Sequence, residues 1–114
     1  YLHSQGVSTG RISAERMVEL LSANPAMLYG VPRKGAIKVG YDADLVVFDP
    51  DLIRTVHHEE LATPGGFTIF EGMKMSGWPT MTISRGKVIV ENRNFVGEKG
   101  SGRFIERSID PLAW

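Results

Sequence analysis

The spacing of apolar positions changes partway along the chain. In "ISAERMVELLSANPAMLYG", Ala14, Met17, Val18 and Leu21 recur at three- and four-residue intervals, which predicts an amphipathic helix with Ser13 as its N-cap. The helix is expected to stop near Ser22, because Asn24 followed by Pro25 has the form of a fresh cap with proline at the first helical position. Gly30 then closes a second short helix, and Pro32 forbids its continuation. Beyond Lys34 the pattern favours strands. "ADLVVFD", bounded by Asp42 and by Asp49-Pro50, predicts a buried strand, and "LIRTV" alternates well enough to be another. "TMTISRGKVIVE" predicts a hairpin, with strands Thr80–Ser84 and Lys87–Glu91 reversed at Arg85-Gly86. Gly35 and Gly40 permit tight reversals, and Asp42 can cap the turn before Leu45, Val46 and Phe48 enter a core. "YLHSQGVSTGR" reads as turn-like, "GEKGSGR" as a loop, and "FIERSIDPLAW" as a tail whose Ile109, Leu112 and Trp114 require something to pack on. No internal repeat is evident.

Composition narrows the class. An apolar fraction of 42% with 23% charged residues over 114 positions describes one ordinary globular unit. Thirteen basic residues balance thirteen acidic ones, so no overall field favours nucleic acid as a partner. The balance is uneven locally: residues 42–71 carry seven acidic side chains against Arg54, whereas 85–107 carry six basic against three acidic, and the two segments are candidates to face each other. The absence of cysteine removes disulfides and thiolate sites and fits a reducing cytoplasm. No apolar run approaches the roughly 20 residues of a membrane span, and no signal pattern opens the chain. Tyr1 in place of an initiator methionine raises the expectation of a piece of a longer protein.

The search for chemistry yields near misses and assigns no catalytic, cofactor-binding or metal-ligating residue. His57 and His58 form the obvious pair, but neighbours in an extended segment point to opposite faces, which favours a structural role. His3 stands far from both in sequence. Asp42 with Asp44, and Glu59 with Glu60, read as solvated turns more readily than as acid–base pairs. Gly97, Gly100 and Gly102 run in the reverse order of a dinucleotide fingerprint and lead into no clear helix. Ser4, Ser8 and Ser101 lack a nucleophile elbow. Met73, Met75, Trp78 and Met81 suit core or interface filling.

Taken together, "ISAERMVELLSANPAMLYGVPRKGAIKVGYDADLVVFDP" resembles the stretch of metal-dependent amidohydrolases that leaves the last helix of the (β/α)8 barrel and enters a small β-domain. Gly35-x-Ile37-x-x-Gly40-x-Asp42-Ala43-Asp44-Leu45-Val46 is similar to a pattern shared across that superfamily. "HHEE", "FEGMKMSG", "SRGKVIVEN" and "FVGEKGSGRFIERS" resemble the end of hydantoinases and dihydropyrimidinases, the cyclic-amide branch; "LATPGGFTI" departs from it, since familiar members carry a shorter link there. The resemblance implies an α+β fragment: residues 1–32 as the last helical part of a TIM-type barrel, 33–102 as the C-terminal part of a composite β-sandwich, and 103–114 as a tail that can serve as a subunit-contact arm.

It implies further that the full-length enzyme hydrolyses a hydantoin- or dihydropyrimidine-type ring with two divalent metal ions, zinc in most relatives, held by histidines, an aspartate and a carboxylated lysine. All of these lie upstream, so the segment alone is expected to be inactive. Its implied partners are the remainder of the barrel, the N-terminal β-strands and other subunits, a tetramer in relatives, in the cytoplasm. Two other possibilities stand beside this one: an inactive relative that keeps the fold as an oligomeric interaction protein, and a stand-alone β assembly module.

Overall fold

Residues 1–108 are described by the computed structural model. Helix α1 (Ala14–Val18) begins at Ser13, whose side chain accepts the Arg16 backbone N–H at 3.1 Å. The expected break at Ser22 does not occur. A π-helical segment, Glu19–Ala23, carries the chain directly into α2 (Asn24–Leu28), and Asn24 itself is helical (φ −64°, ψ −46°) rather than a fresh cap. The wider turn lets the Asn24 N–H reach back five residues to the Glu19 carbonyl, and it accommodates Pro25, which has no N–H to donate. The end is as the sequence predicts: Gly30 takes φ 60° and donates to the Met27 carbonyl, while Val31 donates to Ala26, the paired bonds of a Schellman termination. Leu2–Val7, expected to be turn-like, forms a π-helical turn that contains His3.

Among the described residues four antiparallel strands follow, in the order β1-β2-β3-β4. The two strands expected at 43–49 and 52–56 are one strand, β1 (Leu45–Thr55), interrupted by a bulge between Asp49 and Ile53. Proline is tolerated there because the bulge takes Pro50 out of the ladder, and the Asp49 carboxylate accepts the N–H groups of Asp51 and Leu52 at 3.0 and 3.2 Å. β2 (Lys74–Ser84) starts six residues before its expected first position, and Gly77 and Pro79 do not end it. Gly77 (φ 81°) sits opposite the β1 bulge, between Ser76, which pairs with Ile53, and Trp78, which pairs with Asp49. Arg85-Gly86 reverses the chain into β3 (Lys87–Glu91), as expected. A second tight turn, Asn92-Arg93, leads to the short β4 (Asn94–Phe95), which sequence reasoning missed.

The core is small. Among the described residues only Val56 and Met75 are buried apolar side chains, and the accessible surface is 8778 Å². A self-contained monomer of this mass would expose about 6,200 Å². Large apolar side chains are among the exposed residues: β1 leaves both Val46 and Val47, adjacent residues on opposite faces, open to solvent.

Candidate functional site

Polar side chains gather in three places, and an apolar trough lies between two of them. The first cluster joins the Leu2–Val7 turn to β2. His3 Nδ1 lies 3.1 Å from the Ser76 carbonyl, the Ser76 N–H donates to Ser4 Oγ at 3.3 Å, and the hydroxyls of Ser8 and Ser76 are 3.0 Å apart. Ser8 Oγ also lies 3.5 Å from His3 Nδ1, the one serine–histidine approach formed by the serines considered from sequence. It is not a nucleophile with its base. Facing a carbonyl that can only accept, Nδ1 carries the proton and cannot take another from Ser8. The group packs against Gly77, where a Cβ would fall 2.1 Å from His3 Nδ1 and 2.6 Å from Phe48.

The second cluster holds the loop that follows α2 against the sheet. Lys34 Nζ lies 2.9 Å from Asp42 and makes a shorter ion pair with Asp44. The second oxygen of Asp44 accepts the Arg85 N–H at 2.7 Å, so one carboxylate ties the helix exit to the β2–β3 turn. Hydrogen bonding from Lys34 holds both aspartates below the usual carboxylate range, and Asp44 raises Lys34 in return. Asp42 and Asp44 do come together, as counter-ions to one lysine rather than as an acid–base pair.

The third cluster corrects an expectation. His57 and His58 do not point apart but converge on Glu71, with Nδ1–oxygen distances of 3.0 and 3.2 Å, and Glu71 also accepts the His58 backbone N–H at 2.7 Å. That N–H, first, and the two imidazoles after it hold the Glu71 carboxyl low. A 3-10 turn at His58–Glu60 rotates the second histidine toward its neighbour's side. Close by, Arg93 binds Glu60 at 2.8 Å and lowers its pKa. The acidic 42–71 stretch therefore does meet the basic 85–107 stretch, through Glu60 with Arg93 and Asp44 with the Arg85 amide. Glu59 is exposed. Sequence reasoning names Glu71, Lys34 and Ser76 as participants in no cluster; the charge imbalance of 42–71 includes Glu71, and the quoted family stretches contain all three without giving them a role.

The remaining candidates are placed simply. Met75 is core, Met73, Trp78 and Met81 are half-buried, and the Trp78 indole donates to the Met75 carbonyl at 3.0 Å. The Ser101 carbonyl accepts from Arg85, and residues 101–108 form no helix or strand. Ile109, Leu112 and Trp114 lie outside the described residues. Among the described residues, every buried side-chain polar atom has a hydrogen-bond partner, and no group of three or more His, Asp or Glu side chains could hold a metal ion.

The trough has a volume of about 930 Å³ and separates α1 and α2 from β1 and β2. Its lining is mostly apolar and includes Lys34, Asp42 and Asp44. It has the size of a ligand pocket, and Lys34, Asp42 and Asp44 in its lining are engaged with one another.

Comparison with known proteins gives this scaffold a context. The sequence profile of the amidohydrolase family matches residues 1–89. D-hydantoinase of Geobacillus stearothermophilus is 41% identical over 108 residues, 94% of this chain and 23% of that protein. The structure of D-hydantoinase from a Bacillus species, AR9, superposes with a TM-score of 0.90 at 43% identity, covering 96% of this chain and 24% of its own. L-hydantoinase (dihydropyrimidinase) from Arthrobacter aurescens superposes with a TM-score of 0.88 at 37% identity, over 93% of this chain and 24% of its own. The chain thus spans about a quarter of the length of the relatives it matches.

Proposed function

The chain belongs to the amidohydrolase family, as a segment of the hydantoinase/dihydropyrimidinase type, and we propose that it is the scaffolding part of an enzyme that opens a cyclic amide ring of hydantoin or dihydropyrimidine type. The observation that carries this is the superposition on D-hydantoinase, at 43% identity across 96% of the chain. Residues 1–32 act as the last helical part of the barrel, 33–102 as one part of a composite β-sandwich, and 103–114 as an arm toward other subunits of a cytoplasmic homo-oligomer, a tetramer. The apolar side chains on both faces of β1 support the sandwich, since they require cover from more than the helices alone.

The donor set of this segment does not fit the metal ions of the family. It has no cysteine, His57 and His58 are engaged with one carboxylate, and no three donors among the described residues converge. The two divalent ions, zinc, therefore belong to the remainder of the enzyme, and no step of ring opening is assigned to a side chain here.

Ring-opening assays on the complete, metal-supplied protein, with hydantoin, a 5-substituted hydantoin and dihydrouracil, test the proposal. Hydrolysis of at least one ring is expected from the complete protein and none from residues 1–114 alone. A folded, metal-loaded complete protein that opens none of them would overturn it in favour of an inactive, interaction-only relative. Activity in the isolated segment would overturn the scaffolding role.

A further inference from the structure

The β3–β4 hairpin reverses on two residues, Asn92 (φ 47°) and Arg93 (φ 70°), between the paired Glu91 and Asn94. Two central residues at positive φ are the pattern of a type I′ turn, which favours asparagine in the first place and glycine in the second. Arginine in the second place carries a Cβ into a region that strains an ordinary side chain. Its guanidinium reaches a different element: Arg93 Nη2 donates to the Glu60 carboxylate at 2.8 Å and to the Glu60 carbonyl at 3.2 Å, while Arg54 lies 3.8 Å from the same carboxylate oxygen. Glu60 belongs to a closed loop. The Gly72 N–H on the Val56 carbonyl and the Val56 N–H on the Met73 carbonyl fix its base, at 2.9 and 3.0 Å, and Glu71 draws in His57 and His58 beside it. Among the described residues, the two bonds from Arg93 are the only hydrogen bonds that loop 57–71 makes beyond residues 56–73. Phe67 and Ile69 in its body are 72% and 81% exposed, and Phe70 near its end stacks on Tyr1 with ring centroids 5.3 Å apart. A loop with few buried contacts opens locally without the rest of the fold.

We infer that Arg93 is a strap: it holds loop 57–71 to the β3–β4 hairpin, and the strained turn serves that attachment rather than the hairpin itself. Released from Arg93, the loop opens separately from the sheet, and the Phe70–Tyr1 stack carries the change to the first helical turn. The inference goes beyond the proposed activity and does not depend on it.

Hydrogen exchange of the complete protein, read by mass spectrometry on peptides covering 57–71 and 87–91, tests it with variants chosen to separate strap from turn. Arg93→Gly removes the guanidinium and suits the positive φ. Exchange in 57–71 is expected to rise about fivefold, the factor of a partly exposed ion pair, while exchange in 87–91 and the denaturant midpoint stay at wild-type values or improve. Arg93→Ala keeps the strained backbone without the strap, and it is expected to show the same rise in the loop with a lower midpoint. Glu60→Gln added to Arg93→Gly should change loop exchange no further, because its partner is already gone. Loop exchange no faster than wild type in Arg93→Gly would overturn the strap. So would an equal rise in 87–91, which would make Arg93 a support of the hairpin alone, or a further rise on adding Glu60→Gln, which would give the hold on Glu60 to Arg54. An Arg93→Gly midpoint as low as that of Arg93→Ala would leave no strain for the attachment to offset and would overturn the role given to the turn.

Discussion

At Gly77 the helical part meets the sheet by close approach, whereas at Lys34 it meets it by charge. In the first joint the absence of a Cβ is what lets His3 and Phe48 come together over the strand, and the contacts are short-range. In the second, one lysine neutralises two aspartates in the lining of the trough, with Asp42 and Asp44 still in contact with water. The difference is one of tolerance. A steric joint fails at once when an atom is added and ignores salt, while an ionic joint weakens gradually with salt and pH.

The largest expected effect is therefore at Gly77. An alanine Cβ would lie 2.1 Å from the imidazole and would hold a left-handed φ of 81°. Strain and overpacking together predict a loss of about 3 to 5 kcal/mol for Gly77→Ala, read as a lower denaturant midpoint of the complete protein. Accompanying loss of His3 protection in footprinting would place the damage at the joint. A midpoint unchanged within about 0.5 kcal/mol would mean that the two parts are not joined there.

A smaller effect separates two glycines of one motif. Gly35 and Gly40 both have positive φ, as the sequence predicts for turn positions, but their surroundings differ. A Cβ on Gly35 would meet Ala26 Cβ at 2.7 Å and the Ser22 carbonyl at 2.8 Å, and a Cβ on Gly40 would meet nothing within 4 Å. Gly40→Ala is expected to cost about 1 to 2 kcal/mol from backbone strain alone, and Gly35→Ala about 1 to 3 kcal/mol more because the loop must leave the helix. Equal midpoint shifts for the two variants would show that the helix contact of Gly35 contributes nothing.

These glycines also show how far the sequence could be read. Ser13, Gly30 and the Arg85-Gly86 turn were legible because the groups each satisfies lie within a few residues. The break expected at Asn24 was a local cue overridden by a continuing helix whose π segment makes room for Pro25. The first half of β2 was hidden for a different reason. Gly77 and Pro79 look like strand breakers until β1 is seen to bulge opposite the glycine. The convergence of His57 and His58 on Glu71 was illegible because the carboxylate stands 13 and 14 positions away and is brought in by the fold. The trough could not be read at all, since helix-forming and strand-forming patterns carry no information on the space between the elements they form.

The smallest effect belongs to the ionic joint. Asp44→Asn removes the charge that faces Lys34 and keeps an oxygen for the Arg85 N–H, so the expected loss is about 0.5 to 1 kcal/mol, in keeping with a partly exposed pair. The pH dependence has a defined sign. Because the folded Asp44 titrates below its ordinary 3.8, its contribution is present above that pH and is lost as the pH falls through the depressed value. Lys34, raised above 10.5, contributes fully below that pH and loses its part as the pH rises through the elevated value. Between these limits the joint is indifferent to pH but not to salt: at 1 M the screening length is about 3 Å, and the wild-type advantage over Asp44→Asn should shrink there while that over Gly77→Ala stays. Denaturant titrations of the three proteins at low and high salt would decide it. A salt-independent gap at Asp44 would show that its charge pair with Lys34 does not fasten the helix exit to the sheet.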